Sequence, residues 1–193
     1  MLSQGEAGAV FSCRGHSIHG EETMTETMTE TRDAVASTVN SNEAQRLDYA
    51  ALAPGALKAL LGVEQYVRQS GLERSLLHLV KLRASYMNGC AYCVDMHTKE
   101  ARAHGESEQR LYAIAVWRET PFFTPRERAA LAWTEAVTAI GAEGVSSALH
   151  AVALEHFTAL ELVNLTMAVI AINSWNRLAT TFRREVGGYE VVR

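Results

Sequence analysis

The sequence lacks a cysteine framework, a basic excess, a membrane-length apolar run and any useful strand alternation. Three cysteines in 193 residues cannot build the disulfide lattice of a small secreted domain. A formal net charge of −4 gives no sign of the basic patch that nucleic-acid binders carry. The longest apolar stretch, around Thr166 to Ile172, is far shorter than the roughly 20 residues that span a bilayer, and reads as a buried helix segment. No basic segment followed by an apolar one opens the chain, so no secretory signal is read. Acidic residues near the start argue against a mitochondrial transit peptide. There is no nucleotide-binding loop. Neither nucleic acid nor membrane is therefore expected as a partner. What remains is an ordinary globular composition with ample length for a core. One tight cysteine pair and an odd total fit a reducing compartment, which makes a cytoplasmic location the expectation.

Residues 1–42 stand apart, rich in Ser, Thr, Gly and Glu, with the small repeat Thr23-Met24-Thr25-Glu26-Thr27-Met28-Thr29-Glu30-Thr31. So little apolar content cannot offset the entropy of ordering, and the segment is expected to be disordered. Its methionines make Met24 or Met28 candidate natural starts, and Cys13 reads as an incidental thiol. From residue 43 the pattern becomes helical. Pro54-Gly55 opens a helix that Ser70-Gly71 stops. Leu72 to Met87 forms a second, apolar on most sides and so largely buried. Asn88-Gly89 breaks it. A third helix starts around Cys90 and ends near His104-Gly105. Ser107 caps a short fourth helix through Trp117. Thr124-Pro125-Arg126-Glu127 and Thr158-Ala159-Leu160-Glu161 are capping boxes that open helices running to about Ile140 and to about Phe182. A short helix, Ser146 to Glu155, lies between them. Residues 183–193 read as an irregular tail. The fold class is all-α, with six to eight helices in one domain over residues 43–182.

The chemistry concentrates in Asn88-Gly89-Cys90-Ala91-Tyr92-Cys93-Val94-Asp95-Met96-His97. On a helix, Cys90 and Cys93 stand at i, i+3, and Cys93 and His97 at i, i+4, so two sulfurs and an imidazole share one face. This is a redox or a metal constellation. A helix start, a nearby imidazole and a second thiol all lower a cysteine pKa. One thiolate can then attack an oxidised centre, and the second can resolve the sulfenic acid to a disulfide. His97 within reach of Cys93 makes Cys93 the expected attacking thiolate. Cys90, nearer the helix start and expected to be the more exposed, becomes the resolving one. Structural zinc requires four ligands. Cys90, Cys93 and His97 give three, and His104, His150 or His156 would have to supply the fourth. Two inert buried cysteines, or a redox sensor whose disulfide changes assembly without turnover, are the other readings. A thioredoxin-like fold is excluded by the missing βαβ pattern.

Leu79-Val80-Lys81-Leu82-Arg83-Ala84-Ser85, the Cys90-to-His97 stretch and Ala171-Ile172-Asn173-Ser174-Trp175-Asn176-Arg177-Leu178 together resemble the alkylhydroperoxidase D branch of the carboxymuconolactone decarboxylase-like family. The resemblance spans roughly residues 44 to 182. It implies an all-α fold that assembles as trimers or hexamers. It implies peroxidase or disulfide-reductase chemistry on hydroperoxides at a redox-active Cys90–Cys93 pair. It also implies no metal, flavin or other cofactor, and recycling by a dithiol such as lipoamide or a thioredoxin-like protein. The eponymous decarboxylases lack this cysteine pair, which disfavours decarboxylation. The branch's proton relay has the form Glu-x11-Cys-x-x-Cys-x3-His. Cys90, Cys93 and His97 match it, while the glutamate position holds His78. A histidine can move a proton near neutral pH but brings no fixed negative charge to orient His97. Alternatively, His78 is a core histidine satisfied by a backbone carbonyl.

Overall fold

In the computed structural model the described residues are 44–191. The readings made for residues 1–42, including those for Cys13 and the candidate starts, lie outside them. The described residues contain eight α-helices and no strand: α1 Tyr49–Leu52, α2 Pro54–Arg68, α3 Arg74–Met87, α4 Ala91–Ala103, α5 Glu108–Ala113, α6 Pro125–Thr138, α7 Ser147–Leu154 and α8 Ala159–Thr181. A 3₁₀ segment, Ile114–Glu119, follows α5.

Local chemistry explains most of the boundaries. Both capping boxes form: Thr124 with Glu127 opens α6, and Thr158 with Glu161 opens α8, each satisfying two otherwise orphaned N–H groups. Ser107 and Ser146 cap α5 and α7. Two boundaries differ from the periodicity. α3 begins at Arg74, with Glu73 at its N-cap, and Leu72 packs into the core from the preceding loop. The α5 pattern does not continue as α-helix to Trp117, because Val116 has a non-helical backbone. α1 is one turn not read from periodicity. Asp48 nucleates it by accepting from the N–H groups of Ala50 and Ala51, as an N-cap carboxylate does.

α3 is the central element because it is apolar on two faces. Leu76, Leu77 and Val80 join Val67, Ala130, Trp133, Phe157, Leu165 and Val169 in one cluster. Leu79 and Leu82 join Leu111, Ile114, Trp117, Phe123 and Leu131 in a second. A third cluster is small and lies at the C-terminal end of α3: Ala84, Ile172 and Ala179 close around Cys90 and Cys93. No single helix among the described residues is long and apolar enough to cross a membrane.

Candidate active site

The turn from α3 to α4 sets the dithiol. Gly89 has φ +62°, a left-handed conformation that costs glycine little. The N–H groups of Gly89 and Cys90 donate to the Tyr86 and Ser85 carbonyls at 3.2 and 3.0 Å, closing α3 in a Schellman motif. Asn88 ties this turn to α8 by donating 2.9 Å hydrogen bonds to both Asn173 and Asn176. Asn176 donates in turn to the Ser85 hydroxyl at 3.0 Å. Asn173 and Asn176 of α8 thus brace the turn, and Trp175 on the same helix faces the cavity described below.

Cys90 is the N-cap of α4, and its sulfur accepts from the Cys93 N–H at 3.4 Å. Cys90 and Cys93 form a disulfide, their Cα atoms 5.3 Å apart. Cys90 is only 2% exposed and Cys93 1%, which corrects the expectation that Cys90 is the more accessible. Being at the helix start does not expose it, because Ala84, Ile172 and Ala179 pack over both cysteines. Cys93, not Cys90, lines the cavity.

That cavity has a volume of about 650 Å³, within the range of small-molecule sites. It lies against α2, α3, α4, the C-terminal part of α8 and the tail. His97, one turn beyond Cys93, is buried, and its Nδ1–H donates to Glu100 Oε2 at 3.0 Å. That bond makes Nε2 the lone-pair nitrogen. Tyr189 donates its hydroxyl to the other carboxylate oxygen at 2.8 Å. Glu100 therefore provides the fixed negative charge that position 78 lacks, and it does so from the next turn of α4. Burial favours the neutral Glu100 acid. The hydrogen bond and proximity of His97, with the Tyr189 hydroxyl, outweigh burial and hold its pKa down at about 2. Burial also lowers the pKa of His97, against the pull of Glu100.

His78 projects from α3 into the same cavity. Burial pushes its pKa down to about 4, so it is neutral at pH 7. Its ring stacks on His104 with centroids 5.0 Å apart. His78 Nε2 is buried and has no hydrogen-bond partner, so it is not the core histidine satisfied by a carbonyl. One donor atom each from His78, His97 and Glu100 lie within 4.8 Å of one another, so these residues could hold a metal. Lys81 is buried and pairs with Glu64 at 2.5 Å along the cavity wall. Arg83 points elsewhere, to Glu135, and Asp95 pairs with Lys99. Tyr92 lines the cavity under the Arg184 guanidinium, whereas Tyr86 is exposed. Of the other two candidate zinc ligands, His150 packs near Trp133 and His156 lies in the turn after α7, neither on the cavity.

Sequence reasoning missed Glu100, Glu64 and Tyr189. Glu100 had a signal: it follows His97 at i, i+3 and so shares its face. Glu64 and Tyr189 had none, because tertiary packing alone brings them to the site.

Comparison with known proteins agrees with this architecture. The model of the carboxymuconolactone decarboxylase family matches residues 54–136. The uncharacterised protein YdfG of Bacillus subtilis (strain 168) is 42% identical over 135 residues, covering 70% of this chain and 92% of that protein. A crystal structure from Agrobacterium tumefaciens, of a protein of unknown function considered a candidate antioxidant defence protein AhpD, is 46% identical. It superposes with a TM-score of 0.73 over 76% of this chain and 100% of its own. An alkylhydroperoxidase AhpD core structure, an uncharacterised peroxidase-related protein from Ralstonia eutropha JMP134, shares the fold at 22% identity and a TM-score of 0.65, covering 72% of this chain and 74% of that one. The chain thus belongs to the carboxymuconolactone decarboxylase family, in its alkylhydroperoxidase D-like branch.

Proposed function

We propose that the protein is a thiol-dependent peroxidase, or a disulfide reductase serving one, that reduces hydroperoxides with the Cys90–Cys93 dithiol. The observation that carries this reading is the sharing of one cavity by Cys93, His97 and the Glu100 carboxylate. A peroxidase of this type needs a thiol, a base beside it and an anion that fixes the base's tautomer.

In the reduced protein, His97 Nε2 takes the Cys93 proton and the resulting thiolate attacks the terminal oxygen of the hydroperoxide. The O–O bond breaks, and the departing alkoxide takes a proton from His97 to leave as an alcohol. Cys93 is now a sulfenic acid. The Cys90 sulfur attacks Cys93, water leaves with the sulfenic oxygen, and the disulfide forms. Two thiols have supplied two electrons to one peroxide. An external dithiol of the lipoamide or thioredoxin-like class returns them by thiol–disulfide exchange. Glu100 stabilises the transient imidazolium of His97 and holds its orientation. His78 passes protons between His97 and the open part of the cavity. Leu57, Leu61, Met96 and Trp175 in the cavity wall suit a hydroperoxide with an apolar substituent.

The test is a thiol count before and after one equivalent of an organic hydroperoxide, followed by steady-state consumption with dihydrolipoamide. Loss of two thiols and sustained turnover are expected. Formation of the disulfide with no turnover on any dithiol contradicts the enzyme reading.

A further inference from the structure

We propose that His78, His97 and Glu100 form a binding site for a divalent first-row transition-metal ion of the zinc type. A different ligand set, built on the two cysteines, is the one that spacing alone suggests. Here both sulfurs are bound to each other, and the donors that converge are two imidazoles and a carboxylate.

Three observations carry the site. The first is convergence. A donor atom from each of the three side chains lies within 4.8 Å of the other two. Ions held at about 2.0–2.2 Å by nitrogen and oxygen draw their ligands to roughly 3–4 Å from one another. The 3.0 Å between His97 Nδ1 and Glu100 Oε2 already meets that spacing, and the ion takes the place of the proton between them. The second is the unmet valence. His78 Nε2 is buried without a partner, an arrangement that costs free energy unless something occupies its lone pair or takes its proton. A cation supplies the missing partner. The third is the support behind the ligands. Tyr189 holds the free carboxylate oxygen of Glu100, and the His104 ring backs that of His78. Outer contacts of this kind fix ligand orientation in metal sites.

The donor set selects the class of ion. Two imidazoles and one carboxylate are too nitrogen-rich for calcium or magnesium and lack the sulfur that copper(I) prefers. Three protein ligands leave at least one coordination position for water or another small ligand. On the peroxidase reading, an ion here competes with catalysis, because it takes the imidazole that accepts the Cys93 proton.

The experiment uses the full-length protein with its disulfide intact and Cys13 alkylated, so that no thiolate can bind metal, after treatment with a chelator. Titration with Co²⁺ is followed by visible d–d absorption, and Zn²⁺ is then added to displace it. One saturable equivalent, displaced by Zn²⁺, is expected, weakened at least about tenfold in both His78→Ala and Glu100→Gln. Absence of saturable absorption by the wild-type protein overturns the site, as does unchanged affinity in the two variants. Anomalous scattering from Co²⁺-soaked wild-type crystals decides without variants. A peak between His78, His97 and Glu100 supports the site, and Co²⁺ held only elsewhere contradicts it. Neither arm measures turnover. A protein that binds Co²⁺ but reduces no peroxide defeats the enzyme reading alone, and the converse defeats only the metal site.

Discussion

Glu100 and Glu135 are both half-buried carboxylates whose pKa values are held below the usual range, yet their surroundings differ in kind. At Glu135, Arg83 and Trp117 donate to one oxygen, each at 2.8 Å, and Arg118 pairs with the other at 2.5 Å. Burial opposes ionisation there, and the Arg118 and Trp117 hydrogen bonds and the nearby arginine charges overcome it. Every demand of that carboxylate is met by two permanent cations and an indole. Glu100 instead faces His97 and Tyr189, beside an unpartnered histidine nitrogen and an open cavity. A lowered carboxylate pKa therefore does not separate structural from chemical roles. The separation comes from leftover valence next to space. A saturated cluster can only hold the fold together, whereas an unsaturated one still has something to bind or to transfer.

The comparison can be broken or sharpened by substitution. The largest effect is expected at Cys93. Cys93→Ser should reduce hydroperoxide turnover by at least about 10³-fold, since it removes the proposed nucleophile. The paired carboxylates come next. Glu100→Gln should lower kcat by about 10–100-fold, the scale of losing a group that orients and polarises a histidine, with Glu100→Asp recovering part of the rate. Glu135→Gln should leave turnover unchanged and cost about 1–3 kcal/mol of stability in denaturant unfolding, because charged donors lose their acceptor. Equal effects of the two substitutions on rate would remove the distinction between the sites.

The pH dependence of stability should also divide the regions. His78 is held neutral to about pH 4 by burial, against an ordinary value of 6.5. The unfolded chain therefore takes up a proton at His78 before the folded one does. The corresponding stability is fully present above pH 6.5 and is lost as pH falls from there through about 4. Glu100 has a folded value of about 2 against 4.5. Its contribution is present above pH 4.5 and is lost as pH falls through about 2. Denaturant unfolding of wild type should thus weaken below pH 6.5, and His78→Gln should flatten that decline between pH 6.5 and 4. The smallest effect is expected at Gly89. Gly89→Ala should cost about 1 kcal/mol because alanine resists its positive φ. A thermal melt indistinguishable from wild type would show that the turn between α3 and α4 relaxes without strain.

How much of this was legible in the sequence depends on distance along the chain. The α3–turn–α4 unit could be read almost in full, because Gly89, Cys90, Cys93 and His97 act through local spacing. The capping boxes of α6 and α8 were readable for the same reason. Glu100 is within reach of the same reasoning, being i, i+3 to His97, whereas the relay pattern of the resemblance points upstream, to position 78. The burial of Cys90 was not legible, since Ile172 and Ala179 reach it from a helix some eighty residues away. Nor was the burial of Lys81, whose charge marked it for solvent until Glu64 on α2 is brought alongside. The orphaned nitrogen of His78 is equally a tertiary fact, since neighbours in the chain do not reveal which groups a ring fails to meet.

The most direct test of the central claim is steady-state consumption of an organic hydroperoxide by the reduced wild-type protein with dihydrolipoamide as donor. Turnover that disappears in Cys93→Ser, falls sharply in Glu100→Gln and persists in Glu135→Gln is the predicted result. Thiols that survive peroxide treatment unoxidised, with no consumption above the donor-only background, would contradict it.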